Sequence, residues 1–239
     1  MKKEYRFRRV LLKLSGEALK GKDCHGYNHE AVRTIVDRIK LVMDQGVEVA
    51  VVVGAGNLWR GVNGKGGGMD RVNADYMGML ATVMNALCLK DYCNAAGIPA
   101  EVQCSVGMEP IAPRYNRERA IAALESGKVV IFAGGTGSPF FTTDTTSALR
   151  ALETNCDAML KATKVDGVYS ADPQKDPNAT RYSELSYDEA LAKHLAVLDS
   201  TAFTMCRDNQ MPIIVFDFNN PESFLRVLDG DTAAGTIIQ

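Results

Sequence analysis

The sequence predicts a three-layer α/β/α sandwich on a mainly parallel sheet, a single domain spanning 1–239 with two lobes. Three observations carry this. Apolar runs too short for helices alternate with segments of helical period along all 239 residues, as in a chain of β-α units. One such stretch, Val47 to Val53, is rich in β-branched residues and unbroken from Val49 on, the pattern of a strand covered on both faces. No repeat, low-complexity tract or long linker divides the chain.

Val10 to Leu14 is the first expected strand. Val32, Ile35, Val36, Ile39, Val42 and Met43 then fall at helical spacing, with Gly46 placed as a terminator. After the strand Val47 to Val53 comes a glycine-rich stretch, Gly54 to Gly68. A long helix follows from an Asp70 cap, with Met77, Leu80, Val83, Met84 and Leu87 as its expected buried stripe. Gly97 and Pro99 end it, and Ala100 to Cys104 reads as an edge or short strand. Arg117 to Ser126 is a helix closed by Gly127, Val129 to Ala133 a strand, and Thr145 to Thr154 a helix behind the loop Gly134 to Thr143. Ala158 to Ala162 is a strand, and Ser186 with Glu189 forms a capping box. Ile213 to Phe216 is a strand, Pro221 to Leu228 a helix with proline in its first turn, and Thr236 to Ile238 the last strand. Strand order does not follow from these patterns.

Composition excludes several functions. Twenty-seven Lys+Arg against 29 Asp+Glu leave a net charge of −2, no footprint of a nucleic-acid binder. The longest apolar runs, Val49 to Val53 among them, are far below the ~20 residues of a membrane helix. Six scattered cysteines without a C-x-x-C pair suit reduced thiols and a cytoplasmic setting. Met1 to Arg9 is basic, but Lys13 interrupts the apolar stretch after it and no small-residue cleavage site follows.

Ligands of open parallel sheets bind beyond the carboxyl ends of the strands. Three turns there suit anions: Lys13-Leu14-Ser15-Gly16, Gly54-Ala55-Gly56-Asn57 with Arg60, and Gly134-Gly135-Thr136-Gly137-Ser138-Pro139. Glycines let backbone N–H groups approach phosphate oxygens, and helix N-termini add positive potential. Any one turn alone is better read as punctuation between strand and helix; three together with a lysine and an arginine point to a phosphorylated ligand. Lys13, a charge at the end of an apolar strand, is costly to desolvate unless it meets an anion. A second cluster, Lys161 to Tyr169 ending at Asp172-Pro173, suits a nucleotide base, ribose and phosphates with magnesium, and equally suits a plain turn around Asp166-Gly167 with Tyr169 in the core. No G-x-x-x-x-G-K-[ST], full G-x-G-x-x-G, H-E-x-x-H or G-x-S-x-G occurs, and three histidines give a triad or zinc site little support.

KLSGEAL (Lys13–Leu19), GAGNLWRG (Gly54–Gly61), ADYMGMLAT (Ala74–Thr82), GGTGSPFFTTDT (Gly134–Thr145) and LKATKVDGVYSADP (Leu160–Pro173) resemble the bacterial uridylate (UMP) kinases of the amino acid kinase family. The resemblance runs from Lys13 to the final strand. It implies transfer of the γ-phosphoryl of ATP to UMP, with Mg²⁺, in pyrimidine nucleotide synthesis. It places Lys13, Leu14, Ser15, Gly16, Gly56 and Arg60 at the ATP phosphates, and Thr163, Tyr169 and Asp172 at the adenosine. It places Ala55, Asp75, Thr136, Gly137, Ser138, Pro139, Phe140, Phe141, Thr142 and Thr143 around UMP. Asp144 is the carboxylate expected to orient Lys13 and the metal. Residues 1–155 form the acceptor lobe and 156–239 the ATP lobe. The resemblance also implies a homohexamer activated by GTP through Gly21, Lys22, Asp23, Cys24, His25 and Gly26, and inhibited by UTP. Ala55 stands where the family usually has glycine and Ser138 where it has asparagine, departures that bear on UMP affinity. Two alternatives stay open: a family member phosphorylating a carboxylate or carbamate, and a non-catalytic nucleotide-binding or storage protein on the same fold.

Overall fold

An apolar strand buried on both faces needs a helical layer on each side, and the chain supplies both. The structure is a computed structural model that describes residues 4–59, 68–195 and 197–239. The first half runs β1 (Arg9–Leu14), α1 (Glu17–Lys20), α2 (His29–Met43), β2 (Glu48–Val53), α3 (Arg71–Ala95), β3 (Ala100–Cys104), α4 (Arg117–Glu125), β4 (Val129–Ala133) and α5 (Thr143–Glu153). The second runs β5 (Ala158–Thr163), β6 (Val168–Tyr169), β7 (Arg181–Tyr182), β8 (Glu184–Leu185), α6 (Tyr187–Ala192), α7 (Ser200–Asp208), β9 (Ile213–Asp217), α8 (Pro221–Leu228) and β10 (Gly235–Ile238).

Eight strands form one sheet in the order β3-β4-β2-β1-β5-β9-β10-β8. Its neighbours pair in parallel except β9 with β10. β6 and β7 form a separate antiparallel hairpin. Side chains alternate across a strand, so β1 sends Val10, Leu12 and Leu14 into one core and Leu11 into the other. The first core is roofed by α2, α3 and α8, the second by α4, α5, α6 and α7. This is the expected sandwich, with Ala100–Cys104 at the sheet edge.

Asp70 caps α3 by accepting from Val72 and Asn73 N–H, and the Ser186–Glu189 capping box is formed. Three details differ from expectation. α5 begins at Thr143, two residues early, because the Thr142 hydroxyl caps it. The elements α1, β6, β7 and β8 are too brief to display a period, and α7, nine residues long behind its Asp199 cap, is a further helix beyond the expected set. The α3 stripe is wrong: Met77, Leu80 and Met84 are exposed. The inner face uses Ala74, Ala81, Thr82, Val83, Asn85, Ala86, Leu89 and Cys93 instead. Small side chains there let the helix lie close to the sheet, and size alone misleads a stripe drawn from large residues. Among the described residues no helix is long and apolar enough to cross a membrane.

Candidate active site

The carboxyl end of β1 carries the central charge. Lys13 shares the Leu11 face of the strand and so points toward α5. In register beside it on β5 stands Lys161. Thr142 opens α5 and aims the first-turn Asp144 between them, with Lys13 Nζ 2.6 Å from Oδ1 and Lys161 Nζ 3.1 Å from Oδ2. Lys161 also donates to the Val197 carbonyl. All three side chains are largely buried.

Burial is the largest influence on Asp144 and would raise its pKa, but the two lysines together outweigh it and hold the carboxyl below its ordinary range. Lys161 is pulled down from the ordinary lysine value, chiefly by burial and further by Lys13, with Asp144 opposing. Two ammonium groups share the Asp144 carboxylate directly, a local surplus of positive charge that the nearby Asp199 carboxylate partly offsets at Lys161. Such a surplus is what an incoming polyphosphate neutralises.

The glycine turns meet beside this cluster. A Cβ on Gly16 would lie 2.4 Å from Gly54 O and 2.6 Å from Gly56 N, so only glycine lets the two turns touch. Ala55, the departure from glycine, stays outside the left-handed region and keeps an unstrained backbone.

Two cavities flank the cluster. One, of about 150 Å³, is lined by Ala55, Asp75, Thr136, Phe141, Thr142 and Thr143, together with Trp59 and Met79. Asp75 accepts from Arg71 Nε at 2.9 Å and from Phe140 N–H at 2.7 Å. Its carboxylate, at the cavity wall, is thus already engaged by a neighbour on α3 and by the loop. Phe140 takes φ 72° there. Gly137, Ser138 and Pro139 make the tight turn outside the lining, where Ser138 N–H donates to Thr136 Oγ1. The cavity is roughly half or less of an ordinary ligand pocket (about 300–1,000 Å³), room for only part of a nucleotide as it stands.

The other cavity, about 440 Å³, is lined by Lys161, Thr163, Tyr169, Asp172, His194 and Val197. Tyr169 is half-buried and donates to Asp166, so it is no core aromatic. Thr163 Oγ1 donates to Val165 O and Phe216 O, which fixes the end of β5. A third space, about 670 Å³, opens below α1 and is bordered by both Lys13 and Lys161, together with Leu14, Ser15, Gly21, Arg38, Thr163 and Phe218. Lys22, Asp23, Cys24 and His25 are exposed in the turn beside it, and Gly26 is half-buried. Arg60 lies outside the described residues.

Two residues of the site escaped the candidate set. Lys161 was seen only as part of a cluster, although a lysine ending an apolar strand is the same signal that singled out Lys13. Asp199 caps α7 and accepts from the hydroxyls of Thr142 and Thr145, tying the start of α5 in place. Nothing in its surroundings in the sequence marks it. No group of three potential metal ligands occurs among the described residues. Asp144, the one carboxylate at the cluster, has both oxygens engaged by lysines.

The amino acid kinase family model matches residues 8–217. The structure is similar to the crystal structure of UMP kinase from Bacillus anthracis, with 37% identity, TM-score 0.94 and coverage of 98% of this chain and 96% of that one. It is similar to UMP kinase from Ureaplasma parvum at 34% identity and TM-score 0.91, covering 98% and 99%. Uridylate kinase from Archaeoglobus fulgidus is 29% identical with TM-score 0.74, covering 96% and 99%. The match takes in β1 with Lys13, α5 with Asp144 and β5 with Lys161, and by it the chain belongs to the amino acid kinase family.

Proposed function

We propose that this chain is a UMP kinase that reversibly transfers the γ-phosphoryl group of ATP to UMP, giving ADP and UDP, within UTP and CTP formation. The observation that carries the reading is the Lys13–Asp144–Lys161 cluster, with the small cavity reaching Thr143 next to Asp144, the 440 Å³ cavity reaching Lys161, and the 670 Å³ space bordered by both lysines. The small cavity draws its lining from residues before 155 and the 440 Å³ cavity from residues after 156, which supports an acceptor lobe and an ATP lobe.

A UMP phosphate oxygen attacks the γ-phosphorus, the bond from that phosphorus to the β–γ bridging oxygen breaks, and ADP departs. The attacking oxygen is already largely ionised near neutral pH (second pKa about 6), so no general base is required. The protein supplies position and charge, as phosphoryl transfer demands. Lys13 and Lys161 offset the negative charge that spreads over the equatorial oxygens, and Asp144 keeps both ammonium groups aimed at one point. Backbone N–H groups of the Gly16 and Gly56 turns take the remaining phosphate oxygens. The donor set suits Mg²⁺ carried in on the ATP phosphates rather than held by the protein, and the ion's contribution is to neutralise phosphate charge. Asp75 and Thr136 to Thr143 bind UMP once Phe140 N–H is released, while Thr163, Tyr169 and Asp172 bind the adenosine.

The same reading makes the protein a cytoplasmic homohexamer, supported by the apolar outer face of α3. It also makes the protein responsive to GTP, through Gly21 to Gly26, and to UTP. The deciding experiment is an ADP-release assay with UMP, CMP, aspartate, glutamate and acetylglutamate as acceptors, run with and without GTP and UTP. UMP should be the preferred acceptor; turnover with a carboxylate alone overturns the reading.

A further inference from the structure

Two buried side chains that the phosphoryl-transfer scheme does not use have every amide proton hydrogen-bonded. Asn57, in the turn after β2, is 2% exposed, and Asn85, on the inner face of α3, is fully buried. Their amides face one another. Asn85 Nδ2 donates to Asn57 Oδ1 at 2.8 Å and Asn57 Nδ2 to Asn85 Oδ1 at 3.0 Å. The second proton of each amide goes outward, from Asn85 to Gly54 O at 2.7 Å and from Asn57 to Gly26 O at 3.0 Å. All four side-chain protons therefore end on carbonyl oxygens. Turning the Asn85 amide over would set its oxygen against Gly54 O, so the network itself fixes the orientation.

A buried amide is expensive unless every hydrogen bond is made. Packing alone would be served by two leucines. The pair joins four segments that matter together. Gly54 belongs to the second phosphate-facing turn. Gly16, of the first, packs on the same spot, since a Cβ there would lie 2.7 Å from Asn57 Oδ1. Asn85 lies one turn along α3 from Thr82 and ten residues, about 15 Å, from Asp75, both of which line the acceptor cavity. Gly26 closes the set, and its own N–H returns to Asn57 O at 3.0 Å.

We propose that the Asn57–Asn85 amide pair is a positioning device, fixing the two phosphate-facing glycine turns against the helix that carries the acceptor cavity. It rests on the kinase reading above. Donor phosphates are held by the turns and the acceptor by α3, so the pair sets the distance between reacting atoms. Neither side chain lines any of the three cavities described above. Its loss should therefore lower kcat more than it weakens binding, since a misplacement of about 1 Å can cost about 10²-fold in rate.

The test uses the full chain carrying Asn85→Leu, Asn57→Asp or the Asn57→Leu/Asn85→Leu double substitution. Asn57→Asp keeps the shape and the acceptor for Asn85 but abolishes both Asn57 donations, so it remains informative if the leucine variants fail to fold. Each variant is read by kcat and KM for ATP and UMP, and by amide hydrogen exchange of the unliganded protein. We expect kcat to fall about 10- to 100-fold with both KM values within about threefold. Peptides over Leu14–Ala18 and Val53–Leu58 should exchange faster while those of β4 and α8 do not. Unchanged kcat and exchange, a rise in KM alone, or full activity of the double leucine variant would each overturn the assignment. Absence of UDP formation by the unmutated chain would instead remove the kinase reading, and exchange at the two turns would still decide whether the pair holds them.

Discussion

Lys13 and Lys161 stand abreast on neighbouring strands and lean on one carboxylate, so each modifies the other's charge. Lys13→Ala should lower turnover by about 10²–10³, the usual cost of an oriented electrostatic group, and near-full activity in a steady-state assay would refute its role. Lys161 predicts a pH effect. Its folded pKa is lowered below the ordinary 10.5, first by burial. As pH rises through that folded value the ammonium loses its proton, and kcat should decline before an ordinary lysine would titrate. Stability moves the other way across this window, because the unfolded chain then binds more protons than the folded one. Lys161→Arg should push the decline in a kcat–pH profile to higher pH; an unmoved alkaline limb counts against Lys161. Asp75 already holds Arg71 and Phe140 N–H, so its substitution acts on the acceptor loop. Asp75→Asn should raise KM for UMP and leave KM for ATP nearly unchanged, and the reverse pattern in initial-rate kinetics would assign the small cavity to the donor instead.

Strands and long helices were legible because burial on both faces leaves unbroken β-branched runs, as in Val49 to Val53, and because caps such as Asp70 and Ser186 announce themselves. The ends of elements displayed the candidate site in plain view: glycine turns, Lys13 and Asp144. Lys161 and Asp199 were harder, since their meaning comes from neighbours far along the chain. α3 shows the opposite failure. Its large residues Leu80 and Met84 are 49% and 55% exposed, while Ala81, Thr82 and Asn85 face the protein. A helix that packs small residues inward and turns large apolar ones outward leaves an apolar outer face, which the proposed homohexamer would cover. Leu80→Glu with Met84→Glu should reduce the mass found by light scattering without altering the far-UV spectrum. An unaltered mass would place the subunit contact elsewhere.

Strand order was the part of the architecture hidden from the sequence, because pairing between β1 and β5 or between β8 and β10 joins segments separated by most of a lobe. It also decides what reaches the site. β1 lies in the middle of the sheet with β2 and β5 on either side, which brings a lysine from the first half of the chain level with one from the second. Asp144, on the helix that precedes β5, then has both within reach.

β10 has a consequence for how the molecule is made. It is the strip that joins β9 to β8, yet both of those precede it. Synthesis runs from the N-terminus, so while the last residues are still inside the ribosome this flank is an unsealed seam, with β9 bare along one edge. β1 and β2, by contrast, are adjacent in order of emergence and can zip together early. The cleft's first lysine is thus seated long before the far flank has been stitched shut.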